Sequence, residues 1–260
     1  MIRNPFRSRQ WMHILPGMAL SLFLTLFLGG CIHMKLESKE YRFNSMDRQE
    51  TLAIFLPGRG GSMLDLEQEG ILDILRERKL PLDILSVDAG LWFYMTRTLL
   101  QHLETDIIPK VRQDHYREVW LIGNSMGGLG SLLYAKEQKM KIKGIILLAP
   151  FLGDRPIIEE IKGAGGLLQW TPRETVSENY QRDVWVYLKA CVQDQTGDYP
   201  QLFLLAGKDD RFHESHRLLA AALKDKHVFW AEGGHDWSAW RTAFRAFANQ
   251  DRAVTIFSVP

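Results

Sequence analysis

Cysteine is scarce in this chain, with only Cys31 and Cys191 among 260 residues. So few thiols exclude a disulfide framework. Cys191 shares an apolar-periodic stretch with Val184, Tyr187 and Leu188, which marks it as a small buried hydrophobe and not a nucleophile. Net charge is equally thin, at +1. The first thirty residues hold Arg3, Arg7 and Arg9 and no acid, so taking those three from 32 basic residues leaves 29 against 31 acidic ones. A body that close to neutral lacks the basic patch that captures phosphates, which excludes nucleic acid as a partner. Internal repeats and low-complexity tracts are absent too. What remains is the composition of one ordinary globular domain.

Long apolar runs are confined to residues 14–28, a stretch short for a membrane span and weakened as a helix by Pro16-Gly17. Basic residues precede it, as in a secretory signal peptide. It closes on Leu28-Gly29-Gly30-Cys31, which resembles the lipobox of bacterial lipoproteins. That resemblance implies cleavage before Cys31, lipidation of its thiol and attachment to a membrane in the bacterial envelope. Ile32 stands where family experience places an inner-membrane retention aspartate, so the outer membrane is favoured where the cell has one.

Beyond a polar tether at 31–50, with an edge strand expected around residues 41–43, strand-like and helix-like patterns alternate. Apolar β-favouring runs fall at 52–56, 82–87, 119–122, 144–148, 202–205 and 227–231. Helical periodicity occupies 63–78, 96–112, 126–138, 213–223 and 236–248. Strands without polar alternation are buried on both faces, and their alternation with helices predicts a mostly parallel sheet of about six or more strands in an α/β fold. The domain is expected over 51–250, with 251–260 as a C-terminal tail. Residues 151–200 exceed what a simple crossover needs, so they form either a helical cap over a site or a crossover helix with a long loop.

Within this frame one stretch stands out: Glu118-Val119-Trp120-Leu121-Ile122-Gly123-Asn124-Ser125-Met126-Gly127-Gly128. A strand-like run feeds a G-x-S-x-G pentapeptide and a small-residue helix follows, the context that exposes a serine on a strained turn. Ser125 is therefore a candidate nucleophile. A hydroxyl needs a base to take its proton. His235 lies in Glu232-Gly233-Gly234-His235-Asp236-Trp237, a glycine-bracketed loop after the last strand-like run, where active sites of open α/β sheets assemble. The remaining helix- and strand-borne histidines, among them His213 and His216, read as surface or structural. The pattern His213-Glu214-Ser215-His216 reads as a solvated helical face and not as a metal site.

A carboxylate is needed to orient the imidazole, and Asp209 and Asp210 both follow the run at 202–205. The acid not used is expected to cap the helix near His213. After the first strand, Pro57-Gly58-Arg59-Gly60-Gly61-Ser62 offers backbone amides for an oxyanion hole. The donors expected are the amides of Met126 and Arg59, with Gly60 in close competition. A phosphate-binding loop is the rival reading, but the G-K-[ST] ending is missing.

These segments resemble serine esterases of the α/β-hydrolase superfamily. Gly123-Asn124-Ser125-Met126-Gly127-Gly128 and Gly234-His235-Asp236-Trp237-Ser238-Ala239-Trp240 are similar to the esterase-D-like branch and its G-H-x-W-x-x-W close. The chain departs from that branch in lacking an extended N-terminal strand set and in reading Leu56-Pro57-Gly58-Arg59 where His-Gly is usual. The resemblance implies the order Ser125…Asp210…His235, with Asp210 favoured over Asp209 by its offset of three from Gly207. It further implies hydrolysis of a small-molecule carboxylic ester through an acyl-enzyme, without metal or organic cofactor. Acyl transfer, thioester or peptide cleavage on the same residues, or a non-catalytic binding scaffold, are the alternatives.

Overall fold

The computed structural model describes residues 34–43, 48–137, 139–172 and 180–259. The chain divides into Met1–Lys35 and Leu36–Pro260, and the second unit carries the fold. The signal-peptide reading and Cys31 lie outside the described residues.

Among the described residues seven strands make one sheet: β1 (Ser38–Tyr41), β2 (Thr51–Leu56), β3 (Leu82–Val87), β4 (Glu118–Asn124), β5 (Gly144–Leu148), β6 (Gln201–Gly207) and β7 (Val228–Ala231). Their order is β1-β3-β2-β4-β5-β6-β7, with β1 antiparallel to β3 and every other pairing parallel. All residues of β2, β3 and β5 are buried, because helices cover both faces. Alternate residues supply two core layers. Leu121, Ile145 and Leu147 pack on one face, while Ile122, Ile146 and Phe203 pack on the other with Phe244 and Phe247. Because β3 and β4 flank β2 on opposite sides, the chain reverses its winding there. That reversal opens a crevice at the C-terminal strand ends. The sheet and its flanking helices form the α/β-hydrolase fold.

The flanking helices are α1 (Asp65–Gln68), α2 (Ile71–Glu77), α3 (Leu91–Met95), α4 (Leu99–His102), α5 (Ile108–Gln113), α6 (Met126–Lys136), α7 (Arg155–Gly163), α8 (Tyr180–Gln193), α9 (His213–Ala220), α10 (Trp237–Ala248) and α11 (Asp251–Phe257). Two expected helices are interrupted. The 63–78 pattern breaks at Gly70, whose φ of 72° is left-handed and suits glycine. The 96–112 pattern carries a π-helical turn, Leu103–Ile107, just before Pro109, which has no N–H to give the helical ladder. Residues 151–200 hold α7 and α8, and they bury Trp170, Trp185 and Leu188 in the main core. The Trp185 indole N–H donates to Leu152 O at 2.7 Å. This segment therefore serves as a crossover layer, although Tyr180 and Asp183 also wall a cleft described below.

Both ends of the domain extend beyond the expected 51–250. Leu36 is buried, and β1 lies within the supposed tether, covering the otherwise open edge of β3. The edge strand precedes the expected 41–43 because the buried Asp83 carboxylate accepts the Phe43 and Gln49 amides, which ends the ladder. Residues 251–257 are helix α11, not a tail. Phe257 is buried with its ring 4.9 Å from Trp120, and Thr51 Oγ1 donates to Phe257 O at 2.8 Å. Phe257→Ala should thus cost about 3 kcal/mol, the range for a buried aromatic, and lower the melting temperature by several degrees in calorimetry. An unchanged melting temperature would fit a tail and not this helix.

Candidate active site

One residue, Ser125, separates β4 from α6. It holds φ 49° and ψ −110°, a region that costs a non-glycine residue roughly 1–3 kcal/mol. Three backbone hydrogen bonds keep it there. Its N–H donates to Leu148 O at 2.8 Å, and its carbonyl accepts from Gly128 N at 3.1 Å and Phe151 N at 2.9 Å. The flanking glycines are steric requirements. A Cβ on Gly127 would lie 1.9 Å from Leu56 O, and one on Gly123 would lie 2.5 Å from Gly127 O. Only glycine lets the first turn of α6 descend onto the strand ends.

His235 reaches this turn from the loop between β7 and α10. Asp236 fixes the loop as the helix cap, accepting the Ala239 amide at 3.1 Å and the Gly234 amide at 3.2 Å. The imidazole stands edge-to-face between Phe212 and Trp240, with centroids 5.0 and 4.9 Å away. Trp237 packs on Trp240 at 5.1 Å, so both tryptophans belong to the support of His235. The Ser125 hydroxyl donates to His235 Nε2 at 2.9 Å, and Nδ1–H donates to Asp210 Oδ2 at 2.8 Å. Residues far apart in sequence are thereby joined in one hydrogen-bonded line.

Asp210 is wholly buried, and its second oxygen accepts the Phe212 amide at 2.8 Å. Burial pushes the carboxyl upward, but the bonds from His235 and Phe212 and the nearby His216 ring outweigh it. They hold Asp210 below its usual value, and so ionised. Asp209 is exposed and takes no part. It does not cap α9 either: the residue before that helix is Phe212, with no side-chain cap bond. The Asp209 backbone instead donates to Gly233 O at 3.0 Å, because Asp210 has turned inward.

The loop after β2 comes within reach of Ser125. A Cβ on Gly58 would sit 2.5 Å from Asn124 Oδ1 and 3.2 Å from Ser125 Cβ. Gly58 to Gly61 form a turn closed by Gly61 N–H to Gly58 O at 3.0 Å, with Gly60 at φ 80°. Arg59 occupies the second position, whose N–H the turn does not use. Met126 opens α6, so its N–H has no acceptor within the helix.

His216 does not lie on a solvated face as expected. It is fully buried, and Nε2–H donates to Pro150 O at 2.9 Å. Its Nδ1 is buried without a partner among the described residues. The signal for burial was present: His216 and Leu219 share the inward side of α9 with Ser215. Cys191 is half-buried and packs beside the core, and burial raises its thiol to about 12, which leaves it unreactive.

Burial lowers His216 to about 4, against an ordinary 6.5. A folded value below the unfolded one means the unfolded chain binds the extra proton first. Stability is therefore fully retained above pH 6.5 and falls as pH drops towards 4, by up to about 3 kcal/mol. His227, lowered in the same way, adds to the fall. His216→Gln should remove the His216 share, so urea midpoints measured from pH 7 to pH 4 should fall less steeply in the variant. Parallel curves would mean that His216 does not titrate across folding.

The match to known proteins is distant and consistent. Residues 98–184 match the model of the family described as serine aminopeptidase, S33, a stretch that includes Ser125 but ends before Asp210 and His235. An acetyl esterase from Caldicellulosiruptor saccharolyticus is 27% identical over 150 residues, 51% of this chain and 52% of the relative, so the chain covers about half of that protein's length. Among solved structures, an S-formylglutathione hydrolase from Staphylococcus aureus superposes with TM-score 0.53 at 19% identity, covering 87% of this chain and 97% of that one. Est1E from Butyrivibrio proteoclasticus gives TM-score 0.55 at 19% identity, covering 84% and 94%. Its strand order, its elbow at Ser125 and these likenesses show that the chain has the α/β-hydrolase fold.

Proposed function

We propose that this protein is a serine hydrolase that cleaves carboxylic esters through an acyl-enzyme. The observation that carries the reading is the continuous line from Ser125 Oγ through His235 to the buried, ionised Asp210. Ser125 Oγ attacks the ester carbonyl while its proton passes to His235 Nε2. The oxyanion is held by the N–H groups of Met126 and Arg59, with Gly60 as the competing donor. Collapse breaks the bond to the alkoxy group, which leaves as the alcohol with the proton from His235. Water, deprotonated by His235, then attacks the acyl-enzyme. The acid departs and Ser125 regains its proton. Asp210 holds His235 in the Nδ1–H tautomer and stabilises the imidazolium formed in both steps.

Ester hydrolysis is favoured over the other uses of this chemistry by the acetyl esterase relative. The serine aminopeptidase match brings peptide cleavage in as the second reading, since an acyl-enzyme on Ser125 serves both. The Leu28-Gly29-Gly30-Cys31 sequence supports a further part of the proposal: lipidation of Cys31 and anchoring in the bacterial envelope. For that part, Cys31→Ser should abolish metabolic labelling with a radioactive fatty acid. Label retained in the variant would rule out this site.

With p-nitrophenyl butyrate, Ser125→Ala should reduce kcat by about 10⁴-fold or more, and Asp210→Asn by about 10³- to 10⁴-fold. Asp209→Asn, on an exposed side chain, should stay within about two-fold. Equal losses in the two aspartate variants would refute the assignment of Asp210.

A further inference from the structure

A cleft of about 730 Å³ opens beside Ser125. Its floor is the outward face of α6, where Met126, Leu129 and Leu133 recur at helical spacing. Phe151, whose amide is bonded to the Ser125 carbonyl, closes the near end. Leu91 and Met95 of α3 form one wall. The lining is mostly aliphatic and aromatic, the character of a site for an apolar ligand; its two charged members are the exposed Arg97 and Asp183, which is paired with Lys136 at 3.5 Å.

Two independent observations assign a use to this cleft. The first is direction. His235 must protonate the leaving alcohol, so that half of the ester lies on the His235 side of Ser125. The cleft runs from Met126 along α6 and is lined by neither His235 nor its supports Phe212 and Trp240; Phe151, which touches Phe212 at 5.4 Å, marks the boundary, so the cleft lies on the acyl side. The second is uncovered apolar surface. Met95 is 75% exposed and Leu91 38% exposed, and both face the same cleft. Apolar side chains gathered at one opening mark a surface that a ligand covers.

The geometry points to an acyl-binding cleft for uncharged, linear chains of medium length, about six to ten carbons. This inference rests on the ester-hydrolase reading above. Length follows from the floor. Met126 to Leu133 is seven residues of helix, about 10 Å at 1.5 Å per residue. An extended chain advances about 1.25 Å per carbon for C–C bonds near 1.5 Å, so roughly eight carbons span the floor. An acetyl group reaches only the Met126 end and leaves Leu133 and Met95 uncovered. Each further methylene that enters should raise kcat/KM by up to roughly four-fold, until the cleft is full.

The test is the chain-length profile of the full protein with p-nitrophenyl esters from acetate to dodecanoate, each below its micelle concentration. The expected result is a rise of at least about 50-fold in kcat/KM from acetate to octanoate, then a plateau or fall. Leu133→Trp, which fills the far end, should cut the octanoate-to-butyrate ratio at least about ten-fold and move the optimum to a shorter chain. Met95→Glu, at an exposed position that cannot disturb the core, should lower the same ratio by placing a charge against the chain. A profile that is flat or highest at acetate, with ratios unchanged in both variants, would overturn the cleft assignment while leaving ester hydrolysis intact. A folded protein that turns over no ester in the series would overturn the hydrolase reading itself, and the cleft assignment with it.

Discussion

The backbone of Ser125 can hold its left-handed conformation only because neighbouring strands grip it. The Ser125 N–H is bonded to Leu148 O at the end of β5, and Ala149, itself at φ 46°, donates to Leu205 O in β6. Lys208 N–H continues the row to Ala231 O in β7, and Asp209 N–H reaches Gly233 O in the loop that bears His235. One line of peptide hydrogen bonds thus laces the C-terminal strand ends from β4 to β7. Ser125 stands on that line, Asp210 follows Asp209 in it and His235 lies two residues beyond Gly233, so sheet pairing, and not loop packing alone, sets their separation. Few-kilocalorie strain at a nucleophile is tolerable when the surrounding structure over-determines it. Here the grip is distributed over four strands.

Electrostatics follows from the same placement. Asp210 sits at zero exposure just beyond the C-terminal end of β6, where an unpaired carboxylate could not remain charged. It is kept ionised by donors aimed at both oxygens, one from His235 and one from the Phe212 backbone. Phe212 therefore acts twice: its amide holds the acid and its ring stands against the imidazole. The Arg211 guanidinium lies over the Phe212 ring at 4.9 Å, outside the hydrogen-bonded line. The result is an imidazole fixed in one tautomer and screened from water on two sides, with its Nε2 turned to Ser125.

The G-x-S-x-G run, the His235 loop and the strand succession were legible because each carries a local requirement. Gly123 and Gly127 are dictated by contacts shorter than any side chain allows, and the all-apolar strands by burial on both faces. Asp210 was separable from Asp209 only by its offset from Gly207, and both lie in one polar loop where burial cannot be read from composition. What stayed hidden depends on long-range packing. Phe257 and Leu36 carry no periodic signal strong enough to mark them as core, since each is secured by a distant partner: Trp120 and Thr51 for the former, the β3 edge region for the latter. His216 looked polar in its helix, yet α9 turns that side inward onto Pro150. Tertiary placement also divides the apolar run at 91–95: Phe93 is buried where it meets the cleft, whereas Leu91 and Met95 line it from exposed positions.

The central claim is that Ser125, and no other serine, is activated as a nucleophile by His235. It is tested most directly by treating the folded protein with a fluorophosphonate and locating the adduct by peptide mass spectrometry. The account requires a single adduct on Ser125 whose rate of formation collapses in His235→Ala, because the base is what makes the hydroxyl reactive. An adduct elsewhere, or labelling of Ser125 that is indifferent to loss of His235, would contradict it.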